Sequence, residues 1–168
     1  MKKFELTTES IETVSGEKLF RIKALVSFDA VEAGELGGYV EKEENLSHEG
    51  NAWVYDNAQV YGNARVYGNA RVHGNARVHG NAQVCGDADI YDNSQKSSVD
   101  GFGSENRTTT FFREKSGGVG VKCGCFYGTL DEFREKVRKT HGDSEIAQEY
   151  LAIADVEERR FKRVAKKG

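Results

Sequence analysis

Between residues 50 and 94, the side chains with chemical reach fall at a fixed spacing of six. Trp53, Arg65, Arg71 and Arg77 share one position of that period, and Tyr55, Tyr61, Tyr67, His73 and His79 share the position two residues on. Guanidinium forks bind phosphate or carboxylate through paired hydrogen bonds, and tyrosine, histidine and tryptophan rings offer faces to a nucleobase. Such a set describes a recognition surface for a small anionic, nucleotide-like ligand. Tyrosine and arginine are also enriched in protein interface hot spots, so a subunit seam or a partner protein is a second use for it. Downstream, Cys123-Gly124-Cys125 places two thiols on one side of a strand, with His141 further along. Structural zinc takes four ligands at wider cysteine spacing, so these read as half-buried thiols and no metal or cofactor is expected.

The spacing dictates the elements that carry these groups. Val54, Val60, Val66, Val72, Val78, Val84 and Ile90 form one phase, and Ala52 to Ala88 at six-residue steps form another. A Gly-Asn pair forms the third, relaxed to Asp-Asn at Asp56 and Asp92 and to Gly-Asp at Gly86. Helical and heptad periods do not produce a strict six. Strand alternation within each unit does: Ala in, Arg or Gln out, Val in, Tyr or His out, then a Gly-Asn corner at positive φ. A row of hairpins would leave each tiny strand unable to bury a face, whereas a solenoid pairs each strand with the one a full turn away.

The motif [Val/Ile]-x-Gly-Asn-Ala-x resembles the hexapeptide repeat of left-handed parallel β-helices. The lead-in from Leu36 to Ala58, LGGYVEKEENLSHEGNAWVYDNA, is similar to that of small hexapeptide proteins of bacteria and their phages. The resemblance covers residues 34–94. It implies an 18-residue triangular coil in which residues 18 apart stack. Trp53, Arg71 and Asp89 then form a column beside Tyr55, His73 and Tyr91. Gln59 and Arg77 stand beside Tyr61 and His79, and Arg65 and Gln83 beside Tyr67 and Cys85. In the plain reading these are solvated ladders, with Arg71–Asp89 a weak surface pair. The family also contains trimeric acyltransferases that use acyl-CoA with a histidine base. His73 or His79 would take that role, His48 lies in a degenerate coil, and the inserted loop of those enzymes is missing from the repeat. Zinc-binding hexapeptide carbonic anhydrases would need His73 and His79 to meet across a trimer. From phage-associated relatives comes the expectation of a counter-defence role on a host nucleotide or protein, in the host cytoplasm.

The remaining expectations come from composition and flanks. The 168 residues are 38% apolar and 30% charged with a net charge of −3, which is too apolar for disorder and argues against a basic nucleic-acid binder. No membrane-length apolar run occurs, MKKFELTTES has no export-type apolar stretch, and three cysteines favour a reducing compartment. The full expectation is a mainly β protein. Residues 1–33 form a β-hairpin cap and 34–94 a short left-handed β-helix, with Val40 and Leu46 extending the alanine phase backward. Residues 95–107 form a linker. Residues 108–168 form a ββαα unit, with one strand over 119–127, a capped helix from Thr129, a second helix from Asp143 or Ser144, and a fraying basic tail. Open solenoid ends and a thin core favour self-association, most simply as a homotrimer. Three functions fit: a non-catalytic binding protein, an acyl-CoA-dependent acyltransferase, or a structural oligomerisation scaffold.

Overall fold

The computed structural model describes residues 1–167 and divides the chain into a first unit, Met1–Asn93, and a second beginning at Ser94. The first unit is built on seven two-residue strands: β4 (Trp53–Val54), β5 (Gln59–Val60), β6 (Arg65–Val66), β7 (Arg71–Val72), β8 (Arg77–Val78), β9 (Gln83–Val84) and β10 (Asp89–Ile90). All pair in parallel with the strand 18 residues away, as β4–β7–β10, β5–β8 and β6–β9. The repeat is therefore a β-solenoid, and its alanine and valine phases are buried. At the corners the backbone turns through positive φ. Gly74, at φ 60°, could not carry a Cβ, which would stand 2.6 Å from the Tyr91 carbonyl oxygen. Asp56 takes the same conformation at φ 52°, and its carboxylate accepts the Gly74 N–H at 2.9 Å.

Preceding the repeat, β1 (Phe4–Glu12) and β2 (Lys18–Ala24) form an antiparallel hairpin. β2 pairs with β3 (Leu36–Val40), which runs parallel to β5, so the hairpin extends one solenoid wall in the order β1-β2-β3-β5-β8. Here the expected phase is corrected. Val40 pairs with Val60 and Leu46 with Val66, so both take valine positions rather than alanine positions. His48 and Glu49 lengthen the corner before Gly50, since Ser47 N–H bonds Val66 O as Tyr67 N–H bonds Val84 O, while Asn51 N–H already bonds Gly68 O in the regular register.

The first coil leaves outward-facing carbonyls that need donors. β3 serves one wall, through Tyr39 N–H to Ala58 O and Glu41 N–H to Val60 O. Asn45, fully buried, serves a second by donating from Nδ2 to Gly62 O and Ala64 O at 3.2 and 2.9 Å. Lys3 serves the third, donating from Nζ to Gly50 O and Ala52 O at 3.2 and 2.8 Å.

In the second unit, β11 (Lys96–Phe102), β12 (Arg107–Arg113), β13 (Val119–Cys123) and β14 (Phe126–Thr129) form an antiparallel meander, followed by α1 (Leu130–His141) and α2 (Glu145–Lys167). Three expectations are corrected. Residues 95–107 are not a linker, because β11 pairs with β12 and sends Val99 and Phe102 against the core. The strand expected over 119–127 is two strands, reversed at Gly124, whose φ is 56°. The basic tail is helical through Lys167 because Phe161 is buried in the core. Thr129 caps α1 by accepting the Glu132 N–H, and Ser144 accepts the Ala147 N–H at α2. Phe111, Phe133 and Tyr150 meet edge to face in the core beneath the helices.

Burial pushes the Lys3 ammonium down to about 8. Because the unfolded chain then holds this proton up to about pH 10.5, stability should rise with pH between 8 and 10, by at most ~1.4 kcal/mol per unit. Lys3→Ala should abolish that rise. It should also cost about 1–3 kcal/mol at pH 7, since two buried carbonyls lose their donor. Denaturant unfolding across this pH range measures both effects.

Candidate functional site

The solenoid walls hold the repeated rings and arginines in the expected columns, but the columns are committed within the protein. Tyr55, His73 and Tyr91 stack with centroids 4.5 and 4.3 Å apart and planes within 7° and 5° of parallel. His73 thus has both ring faces covered, and its Nε2 lies 3.0 Å from Asp89 Oδ1. Arg71 pairs with Asp29 of the segment before β3, not with Asp89 as expected. Trp53 is fully buried, with Phe4 and Phe28 set edge-on against its ring, so it presents no face to a ligand.

On the second wall Tyr61 stacks on His79 at 5.3 Å. On the third, Tyr67 donates to Gln83 Oε1, and burial, followed by its hydrogen bond with Cys85, raises its phenol above the ordinary range. Arg65, Arg71 and Arg77 belong to three different parallel ladders. Within one chain they do not converge on a common point. His48 is structural: its Nδ1 accepts the Lys3 backbone N–H at 3.2 Å, its ring stacks on Phe4 at 4.3 Å, and Glu43 takes its other nitrogen.

A concave site with convergent chemistry lies in the second unit. A cavity of about 290 Å³ opens between the β13–β14 turn and the end of α1. Its floor is apolar: Phe126, Phe133, Val137 and the ring of Tyr150. Its rim carries Arg107, Lys136 and His141 against a single carboxylate, Glu105, with the hydroxyls of Ser104 and Thr140. Both Cys123 and Cys125 line it.

Local sequence explains this convergence. β12 begins at Arg107 and β13 ends at Cys123, beside each other in the sheet, so Arg107 reaches the turn that follows. Glycine at 124 lets the guanidinium lie there, since a Cβ would stand 2.1 Å from its Nη1. Lys122 Nζ donates to Gly124 O at 2.5 Å and holds the same turn. Helical spacing brings Lys136, Val137, Thr140 and His141 to the mouth from the last turns of α1. Cys123 Sγ accepts from Thr109 Oγ1 at 3.2 Å and lies 3.8 Å from the Tyr150 hydroxyl, which donates to Phe102 O at 3.3 Å. Burial, then the neighbouring Cys123, pushes the Tyr150 phenol up to about 12, so it stays protonated at neutral pH.

Of these residues, the sequence reading singled out Cys123, Cys125 and His141. Arg107 and Lys136 escape the sequence: the first falls at the end of the segment expected as a linker, and the second carries no spacing that marks it. A glycine interrupting an otherwise strand-like run was the available signal for the turn. Among the described residues, no group of three or more His, Cys, Asp or Glu side chains is placed to hold a metal ion.

The chain is similar to the YdcK beta solenoid repeat over residues 58–74 and 64–80. This is a β-solenoid repeat protein. The match falls wholly within the regular coils, meets the lead-in only at Ala58 and does not reach the second unit. No curated protein matches the chain. No helix among the described residues is long and apolar enough to cross a membrane.

If the Tyr55–His73–Tyr91 column is structural, His73→Ala should lower stability by about 1–3 kcal/mol through loss of two stacked contacts. Inorganic phosphate should shift the melting temperature of this variant and of the wild type by the same amount. Thermal unfolding with and without phosphate separates the two effects.

Proposed function

We propose that the protein is a non-catalytic binding protein in which the β-solenoid is a scaffold and the cavity of the second unit takes a small anionic ligand. The observation that carries this reading is the rim of Arg107, Lys136 and His141 above a floor of aromatic rings. A guanidinium offers two parallel donors to a phosphate or carboxylate, an ammonium adds charge, and the rings accommodate a flat or apolar body. At about 290 Å³ the cavity lies just below the usual range of ligand pockets, ~300–1,000 Å³, which suits a monophosphate, a small carboxylate or one arm of a longer anionic molecule.

Catalysis through His73 is disfavoured by its sandwich between two tyrosine rings, which leaves only the ring edge accessible. A nucleotide held by the wall arginines is disfavoured because Arg71 is paired with Asp29 and Trp53 is covered. The finer architecture belongs to the same proposal: a left-handed coil, as the hexapeptide resemblance implies, with the β1–β2 hairpin as its N-terminal cap. So does a cytoplasmic setting, supported by three free cysteines.

Isothermal titration of the full chain with inorganic phosphate and with adenosine monophosphate tests the ligand reading. Arg107→Ala should weaken binding about tenfold or more, and Arg71→Ala should leave it unchanged. Equal loss in both variants, or no heat with either anion, contradicts it. Self-association through the walls bearing the exposed Arg65 and Arg77 is the further part of the proposal. Sedimentation equilibrium should return three times the chain mass, and a single chain mass contradicts the trimer.

A further inference from the structure

Two thiols open into the proposed anion cavity, and neither the scaffold nor simple anion binding uses them. Cys123 is half-buried at the end of β13, whereas Cys125 is exposed one residue past the glycine of the turn. Cys123 pairs in register with Phe126, so Gly124 and Cys125 are the two central residues of a tight hairpin turn. Residues two apart across such a reversal have Cα atoms about 5–6 Å from each other, within the span of a disulfide. Their surroundings are asymmetric. Cys125 is open to solvent and lines the same cavity as Arg107 and Lys136, while Cys123 has the Thr109 hydroxyl donating to its sulfur. An exposed thiol meets a small disulfide first, and a half-buried thiol two residues away across the turn is placed to resolve the mixed disulfide.

We propose that Cys125 and Cys123 form a dithiol site whose ligand class is an anionic low-molecular-weight disulfide. This rests on the anion-binding reading of the same cavity and names the ligand within it. The Cys125 thiolate attacks one sulfur of the bound disulfide. The ligand's S–S bond breaks, one thiolate leaves and takes up the proton that Cys125 released, and a mixed disulfide remains on Cys125. Cys123 thiolate then attacks Cys125 Sγ. The second ligand thiolate departs with the Cys123 proton, and a Cys123–Cys125 disulfide closes. The protein dithiol is oxidised by two electrons, and the small disulfide is reduced to two thiols. Arg107 and Lys136 hold the ligand's carboxylates, which sets the preference for anionic over cationic disulfides.

The test uses the reduced full chain with two probes, glutathione disulfide, which is anionic, and cystamine, which is cationic, followed by intact-mass and peptide mapping. The wild type should lose two hydrogen masses and map an internal link between Cys123 and Cys125, with Cys85 untouched. Cys123→Ser should accumulate the glutathione adduct on Cys125, and Cys125→Ser should form neither product. The rate ratio of glutathione disulfide to cystamine should fall about tenfold in an Arg107→Ala/Lys136→Ala variant, the equivalent of ~1.4 kcal/mol. Cys85 reacting as fast as Cys125, or a ratio unmoved by the double variant, overturns the proposal. Phosphate binding with inert thiols overturns the disulfide assignment alone. Charge-blind thiol reaction with no phosphate binding overturns the anion-binding reading as well.

Discussion

Every feature of the first unit depends on the backbone ladder that joins one coil to the next. Arg65 N–H reaches Ala82 O, Tyr67 N–H reaches Val84 O, and the pattern repeats on each wall. The ladder fixes the 18-residue register, and the register places like side chains above one another. Asn51, Asn69 and Asp87 bond in a file along a corner, and Tyr55, His73 and Tyr91 stack along a wall. A ladder also has ends, and its first coil would expose a rim of carbonyls. Here the rim is answered by three unlike devices: the edge of β3, the Asn45 amide and the Lys3 ammonium. Burying a lysine is costly, and this one meets the cost by donating to two carbonyls of the first coil.

The same geometry decides what the walls can do. Side chains that repeat every six residues are shared among three walls, so a motif dense in arginine along the chain becomes sparse in space. Two residues that looked most suited to ligand recognition are held by the segment before the coils: Trp53 beneath Phe4 and Phe28, and Arg71 by Asp29. The rings are satisfied by one another. By contrast, the second unit joins cations, rings, hydroxyls and thiols from β12, β13, the β13–β14 turn and α1 around one concavity.

The fold was legible where the sequence repeats and where helix caps are local. Strict valine and alanine phases, Gly-Asn corners and the Thr129 cap all act over a few residues, so pattern alone exposes them. The two-residue offset at His48-Glu49 was not legible, because only pairing with Val66 reveals that Leu46 has moved into a valine position. β11 was hidden for a similar reason. Its sequence, KSSVDGF, is mostly polar, and its strand character comes from hydrogen bonding to β12 and from two side chains, Val99 and Phe102, that pack on a core formed later in the chain. Losing β11 from the reading also lost Arg107, and with it the cation that turns a cysteine pair into a charged cavity.

Under the proposed function, the solenoid's repeated side chains hold coils together and ligand chemistry resides in the second unit. Amide hydrogen exchange on the full chain, with and without saturating inorganic phosphate, locates the site directly. Phosphate should slow exchange in peptides spanning residues 103–107 and 122–126 and leave residues 52–91 unchanged. Protection confined to residues 52–91 would place recognition on the walls and contradict the claim.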